Sequence, residues 1–184
     1  NKSRVEIDLE EIQNDTKKLI DDSIKVITQI EITDKEVLYI MYAAQFIAIM
    51  RSVVSRDSYS REINYVNPPE NPFRLEEELQ SLLISLISLQ QIDENRPKRV
   101  LQSVIFSCIP ETRLRIIILL MDSKKLVTSI IADQISLPPT TVKKHLEDMN
   151  AQKIIHPSTA KKYKATQWHL SSEIKDLYNA ILDI

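Results

Sequence analysis

Not one glycine occurs among the 184 residues. Phosphate-cradling loops of the GxxxxGK(S/T) and GxGxxG types need glycine for positive φ and for close approach of the backbone to the ligand. The chain by itself is therefore not expected to be a nucleotide hydrolase or a dinucleotide enzyme. The same absence removes the usual helix C-caps and leaves turns to Asn, Asp, Ser and Pro, a load that an all-helical protein bears best. Cysteine occurs once, as Cys108 within VIFSCI, so no internal disulfide can form and the residue reads as a small buried hydrophobe. No apolar run reaches the roughly 18 uncharged residues of a membrane span. The opening NKSRVEIDLE has neither the apolar stretch nor the cleavage site of a signal peptide. A cytoplasmic protein without a membrane partner is the expectation.

Catalytic constellations are equally scarce. The three histidines, His145, His156 and His169, are spaced by 11 and 13 residues, which matches no compact ligand motif, and no cysteine or acidic cluster completes a metal site. Carboxylate pairs such as Glu10 with Glu11, or Glu76 with Glu78, fall on helix faces beside lysines and offer no acid and base arrangement. Neither a cofactor nor an enzymatic activity is expected of the chain.

What is present is an Ile- and Leu-rich chain, 43% apolar and 27% charged, enough for one large or two small cores. Its net charge of −2 hides an asymmetry. From Glu111 to Leu170 there are ten Lys or Arg against five Asp or Glu, a local balance of +5, against −5 for residues 1–110 and −2 for residues 171–184.

The basic segment holds the most informative stretch, TSIIADQISLPPTTVKKHLEDMNA, residues 128–151. Ile130, Ile131 and Ile135 recur at helical spacing, Leu137 closes a turn, and Val142, Leu146 and Met149 form a second apolar stripe. Thr128 can cap the first helix, and Pro139 suits the first turn of the second, where its fixed φ is already helical and its missing N–H has no partner to lose. This is a helix-turn-helix pattern. KIIHPSTAKKYKATQWHL then offers two β-prone runs, Ile154–Ile155 and Gln167–Leu170, around a basic loop, the winged form of the motif.

Upstream, residues 8–30 predict an amphipathic helix. Thr33 and Glu36 form a capping-box signature opening an apolar helix to about Val54, with Ala43, Ala44 and Ala48 suited to close packing. SRDSYSREINYVNPPENP reads as a polar loop and candidate hinge, Phe73–Gln90 as an almost surrounded core helix, KRVLQSVIFSCI as a short helix, and ETRLRIIILLM as the helix that opens the C-terminal module. The expected fold is mainly α: a helical bundle over residues 1–110, a winged helix-turn-helix domain with a small two-stranded wing over 111–172, and a C-terminal helix over 173–184.

On such a fold the second helix enters the major groove by its N-terminal residues and the wing touches the flanking backbone. Thr140, Thr141, Lys143 and Lys144 occupy the outward helix face, and Lys161, Lys162 and Lys164 fall on the wing. These side chains can bond phosphate, but without Arg, Asn or Gln before Asn150 the helix is poorly equipped for bidentate base recognition. Weakly sequence-specific binding of duplex DNA is the expectation, and a protein-interaction or assembly domain with a solvated basic face is the alternative. Trp168 reads as an anchor packing the wing onto the module.

The order NPPENPFRLEEELQSLLISL, SVIFSCIPETRLRIIILL, VTSIIADQISLPPTTVKKHLEDM and WHLS resembles the C-terminal part of AAA+ ATPases that carry a helical lid followed by a winged helix, over roughly residues 24–172. The resemblance implies that Arg74 stands where such lids carry an arginine that senses the nucleotide's γ-phosphate. It also implies an ATPase core as partner, the chain being either a piece of a longer ATPase or a free-standing relative without catalysis.

Overall fold

The computed structural model describes residues 2–27, 30–89, 96–159 and 165–183. The chain runs α1 (Lys2–Ile27), α2 (Asp34–Arg51), β1 (Val54–Arg56), β2 (Ile63–Val66), α3 (Phe73–Ser88), α4 (Arg96–Ser107), α5 (Glu111–Ser123), β3 (Leu126–Val127), α6 (Thr128–Ile135), α7 (Pro139–Ala151), β4 (Ile155–Thr159), β5 (Thr166–Leu170) and α8 (Ser172–Leu182). It is mainly helical, a helical half followed by a winged helix-turn-helix.

α1 begins before the stretch whose periodicity predicts it. It lies against α3 with Ser23 buried, while Ile12, Ile20 and Ile24 stay exposed. α2 opens with both halves of the capping box: Glu36 N–H donates to Thr33 Oγ1 at 3.3 Å, and Thr33 N–H donates to Glu36 Oε2 at 2.9 Å. Ala43 and Ala44 have no exposed surface, so α3 and α8 can approach the α2 backbone closely. α8 starts at Ser171, whose hydroxyl accepts from Ile174 N–H, and returns onto α2 through an edge-on contact of Tyr178 with Phe46, ring centres 6.1 Å apart. Gln102 on α4 ties its end by donating to the Ile181 carbonyl at 2.9 Å.

α3 packs against α1, α2 and α4. It buries Leu75, Leu79 and Leu83, packs Leu82, Leu86 and Ile87 partly buried on the core, and leaves only Phe73, in its first turn, as an exposed large apolar side chain. The fully buried Leu101 and Ile105 of α4 and Ile116, Ile117 and Leu120 of α5 continue the core into the winged helix. Each such side chain contributes about 1.5–3 kcal/mol of burial.

The larger correction concerns residues 54–66. A hinge loop is expected there, but the segment forms an antiparallel hairpin, pairing Val54 with Val66, Ser55 with Tyr65 and Arg56 with Ile63, with a bulge between Ser55 and Arg56. The wing sheet also gains a strand: its order is β3-β5-β4, with Leu126 opposite Trp168 and Ile155 opposite Leu170. Among the described residues no helix is long and apolar enough to cross a membrane.

Candidate nucleic-acid interface

The turn between α6 and α7 is built without glycine. Ser136 takes the left-handed conformation, φ 57° and ψ 41°, and Leu137 N–H donates back to the Ala132 carbonyl at 3.1 Å, the bond pattern that closes a helix end. Leu137 packs partly buried on the core, and Pro139 occupies the first turn of α7 as its fixed φ favours. Thr128 does not cap α6. It is the first helical residue, and its Oγ1 accepts from Trp168 Nε1 at 3.0 Å, so the hydroxyl that sequence assigns to a helix N-terminus holds the wing instead. Trp168 itself is 7% exposed, an anchor as expected and not a surface for stacking.

Val142, Leu146 and Met149 are buried on α7, which turns Thr140, Thr141, Lys143 and Lys144 outward into solvent. The structure therefore brings four of the seven expected contact residues onto one exposed face. Lys161, Lys162 and Lys164 lie outside the described residues. Lys143 is 3.8 Å from Glu147, a weak pair one turn along the helix.

The outward face of α7 is divided, and this was not legible in the sequence. Its C-terminal half carries Glu147 and Asp148, and Arg56 of the β1–β2 hairpin covers them. Arg56 Nε donates to Asp148 Oδ1 at 2.8 Å, Nη2 to Glu147 Oε2 at 3.2 Å and to the Lys144 carbonyl at 3.4 Å, and Nη1 to the Arg61 carbonyl at 2.8 Å. Burial works against the charge on Arg56, but the bonds and charges of Asp148 and Glu147 outweigh it and raise its pKa above the ordinary value. Beyond the guanidinium an open groove of about 370 Å³ separates Arg61, Glu62 and Ile63 from Glu147, Asn150 and Ala151. The hairpin reaches α7 at the Lys144 carbonyl, and the side chains of Thr140, Thr141, Lys143 and Lys144 stay exposed beside it.

Two further side chains fix the hairpin's root. Arg113 of α5 donates from Nη1 to the carbonyls of Met50 and Ser52 at 2.7 and 2.9 Å, a cation on the C-terminal end of α2 where helical carbonyls lack partners. Burial lowers the Arg113 pKa, with Asp148 opposing. Gln152, just past α7, donates to the same Ser52 carbonyl at 2.6 Å.

The histidines are placed differently from what their spacing suggests. His156 and His169 are cross-strand partners on β4 and β5, ring centres 5.9 Å apart, on the face away from Trp168 and Leu170. Among the described residues no group of three or more His, Cys, Asp or Glu could hold a metal ion. Arg74 sits on the first turn of α3, its side chain 86% exposed and bonded to Glu78 at 2.9 Å.

Helix, turn, helix and a three-stranded wing sheet define the class: a winged helix-turn-helix. No family model matches the chain, and no curated protein matches it. Among solved structures it is similar to a ZitR mutant of Lactococcus lactis in apo form, at 19% identity over 49% of this chain and 70% of that one with a TM-score of 0.36. It is likewise similar to the YusO protein of Bacillus subtilis, at 17% identity over 61% of this chain and 77% of that one with a TM-score of 0.38.

Proposed function

We propose that the chain is a non-enzymatic winged-helix module that binds duplex DNA with little sequence preference, through Thr140, Thr141, Lys143 and Lys144 together with Lys161, Lys162 and Lys164. The observation that carries this reading is the exposed Thr and Lys row on the N-terminal half of α7. With so short an exposed row, and no Arg, Asn or Gln on it, phosphate contacts dominate and base readout is minor. We extend the reading to an ATPase context, in which Arg74 meets a nucleotide held by a separate core; Arg74→Ala then leaves DNA binding by this chain unchanged.

The test is fluorescence anisotropy with random duplex DNA across a salt series. About four phosphate contacts give a slope of log K against log salt near −3.6, roughly 0.9 per contact, with Kd of about 10⁻⁴ to 10⁻⁶ M near physiological salt. Lys143→Glu with Lys144→Glu should abolish binding. Binding indifferent to both salt and that double reversal removes α7 from the interface. A second reading, assembly through the helical half, draws on the exposed Ile12, Ile20 and Ile24 of α1 and Leu38 and Met41 of α2; self-association measured by light scattering, without DNA binding, would favour it.

A further inference from the structure

We infer that the β1–β2 hairpin is a second wing, whose tip contacts the sugar–phosphate backbone of the duplex beside Lys144 of α7. The inference rests on the DNA reading above and adds Tyr59 and Arg61 to the interface. Three observations carry it.

The first is the tip's order. Asp57 Oδ1 accepts from the N–H groups of Tyr59 and Ser60 at 2.9 and 2.6 Å, while Arg61 N–H donates to the Asp57 carbonyl at 3.1 Å and Asp57 N–H to the Glu62 carbonyl at 2.9 Å. Those donated bonds hold the Asp57 carboxyl below its ordinary pKa, so the acid is spent on the loop's own backbone. The tip is thus set in one shape before any partner arrives, which limits the ordering cost of binding.

The second is what that shape presents. Tyr59 is 97% exposed, and Arg61 also faces solvent. A phenol and a guanidinium two residues apart on one tip are donors suited to phosphate oxygens.

The third is position. One guanidinium, that of Arg56, bonds both the Arg61 carbonyl and the Lys144 carbonyl, so the backbone of the tip stands a guanidinium's width from the backbone of the last lysine in the exposed row. Arg56 meanwhile offsets Glu147 and Asp148, the two carboxylates that would repel a phosphate there. The hairpin's root is held by Arg113 and Gln152, so the tip and α7 are presented together.

The experiment extends the anisotropy salt series to Arg61→Glu and Tyr59→Ala, with Lys35→Glu at the far end of α2 as a charge control and circular dichroism to establish folding. Arg61→Glu is expected to weaken binding about tenfold and Tyr59→Ala about fivefold, the effect of one net hydrogen bond. Arg61→Glu should also reduce the salt slope by about 0.9, one phosphate contact. Lys35→Glu should do neither. If Lys143→Glu with Lys144→Glu abolishes binding while both tip variants match wild type, the second wing is wrong and the DNA reading stands. Equal weakening by Arg61→Glu and Lys35→Glu also overturns it, because only overall charge is then sensed. A wild-type chain that binds no duplex at low salt overturns both.

Discussion

Arg56→Ala removes the contact that joins the hairpin to the recognition helix, and its cost can be worked from the geometry. The variant deletes four hydrogen bonds and leaves Asp148 without the cation bonded to it, though Arg113 remains near enough to feel its charge. The Arg56 and Asp148 side chains are 14% and 16% exposed, and Glu147 is 39% exposed. Breaking a fully buried pair costs about 3–5 kcal/mol and an exposed one about 0–1 kcal/mol. With most but not all water excluded, roughly 2–3 kcal/mol is expected. For a chain of this size that lowers Tm by roughly 5–10 °C.

Urea and thermal denaturation of wild type, Arg56→Ala, Asp148→Asn and the double variant complete a cycle in which the coupling should exceed about 1 kcal/mol. Arg56→Lys should recover less than half of the loss, because an ammonium cannot reach Asp148, Glu147 and two carbonyls from one planar fork. A Tm for Arg56→Ala within about 1 °C of wild type, or a coupling inside the roughly 0.3–0.5 kcal/mol of ordinary additivity, would refute the argument.

Burial, then the charges of Lys125, His156 and Lys175, holds His169 below its ordinary pKa of 6.5, and its Nδ1 is buried without a hydrogen-bond partner. A base depressed in the folded state takes its proton more readily when unfolded, so stability is full above 6.5 and is lost as pH falls through the folded value. Tm should therefore drop between about pH 7.5 and about pH 5.5 more for wild type than for His169→Gln; equal drops would exclude the effect. Trp168→Phe keeps most of the anchor but loses the donor to Thr128, at a cost of about 1 kcal/mol in urea unfolding. Since Trp168 is the chain's one tryptophan, wild-type emission should shift to the red in step with loss of helix, and an earlier shift would mean that the wing detaches before the core melts.

The elements that sequence revealed are those whose signals are local. The capping box spans Thr33 to Glu36, Pro139 marks the first turn of α7, and the stripe of Val142, Leu146 and Met149 tells which face of that helix is left for solvent. The hairpin was hidden for the opposite reason. Its strands are three and four residues long, in a segment rich in turn formers, and its docking depends on Arg56 meeting Asp148, 92 residues away. Arg113 was equally opaque, since nothing in ETRLRIIILLM says that a charged residue will close the end of a helix 61 residues earlier. Thr128 shows a subtler limit: a correct residue type for a cap was recognised, but a tryptophan from the wing had the stronger claim on its hydroxyl.

The missing glycines have an electrostatic consequence. Among the described residues four adopt positive φ, Arg61, Lys124, Ser136 and Lys153, a backbone region that costs a residue with a Cβ strain that glycine avoids, about 1–2 kcal/mol for the left-handed helical conformation of Ser136. Three of the four are basic and exposed, and each lies in the winged helix or in the hairpin beside α7. Glycine at those turns would contribute no charge. The chain instead converts conformational strain into three surface cations at fixed corners of its backbone, so its positive field is set partly by turns and not only by the lysines of α7.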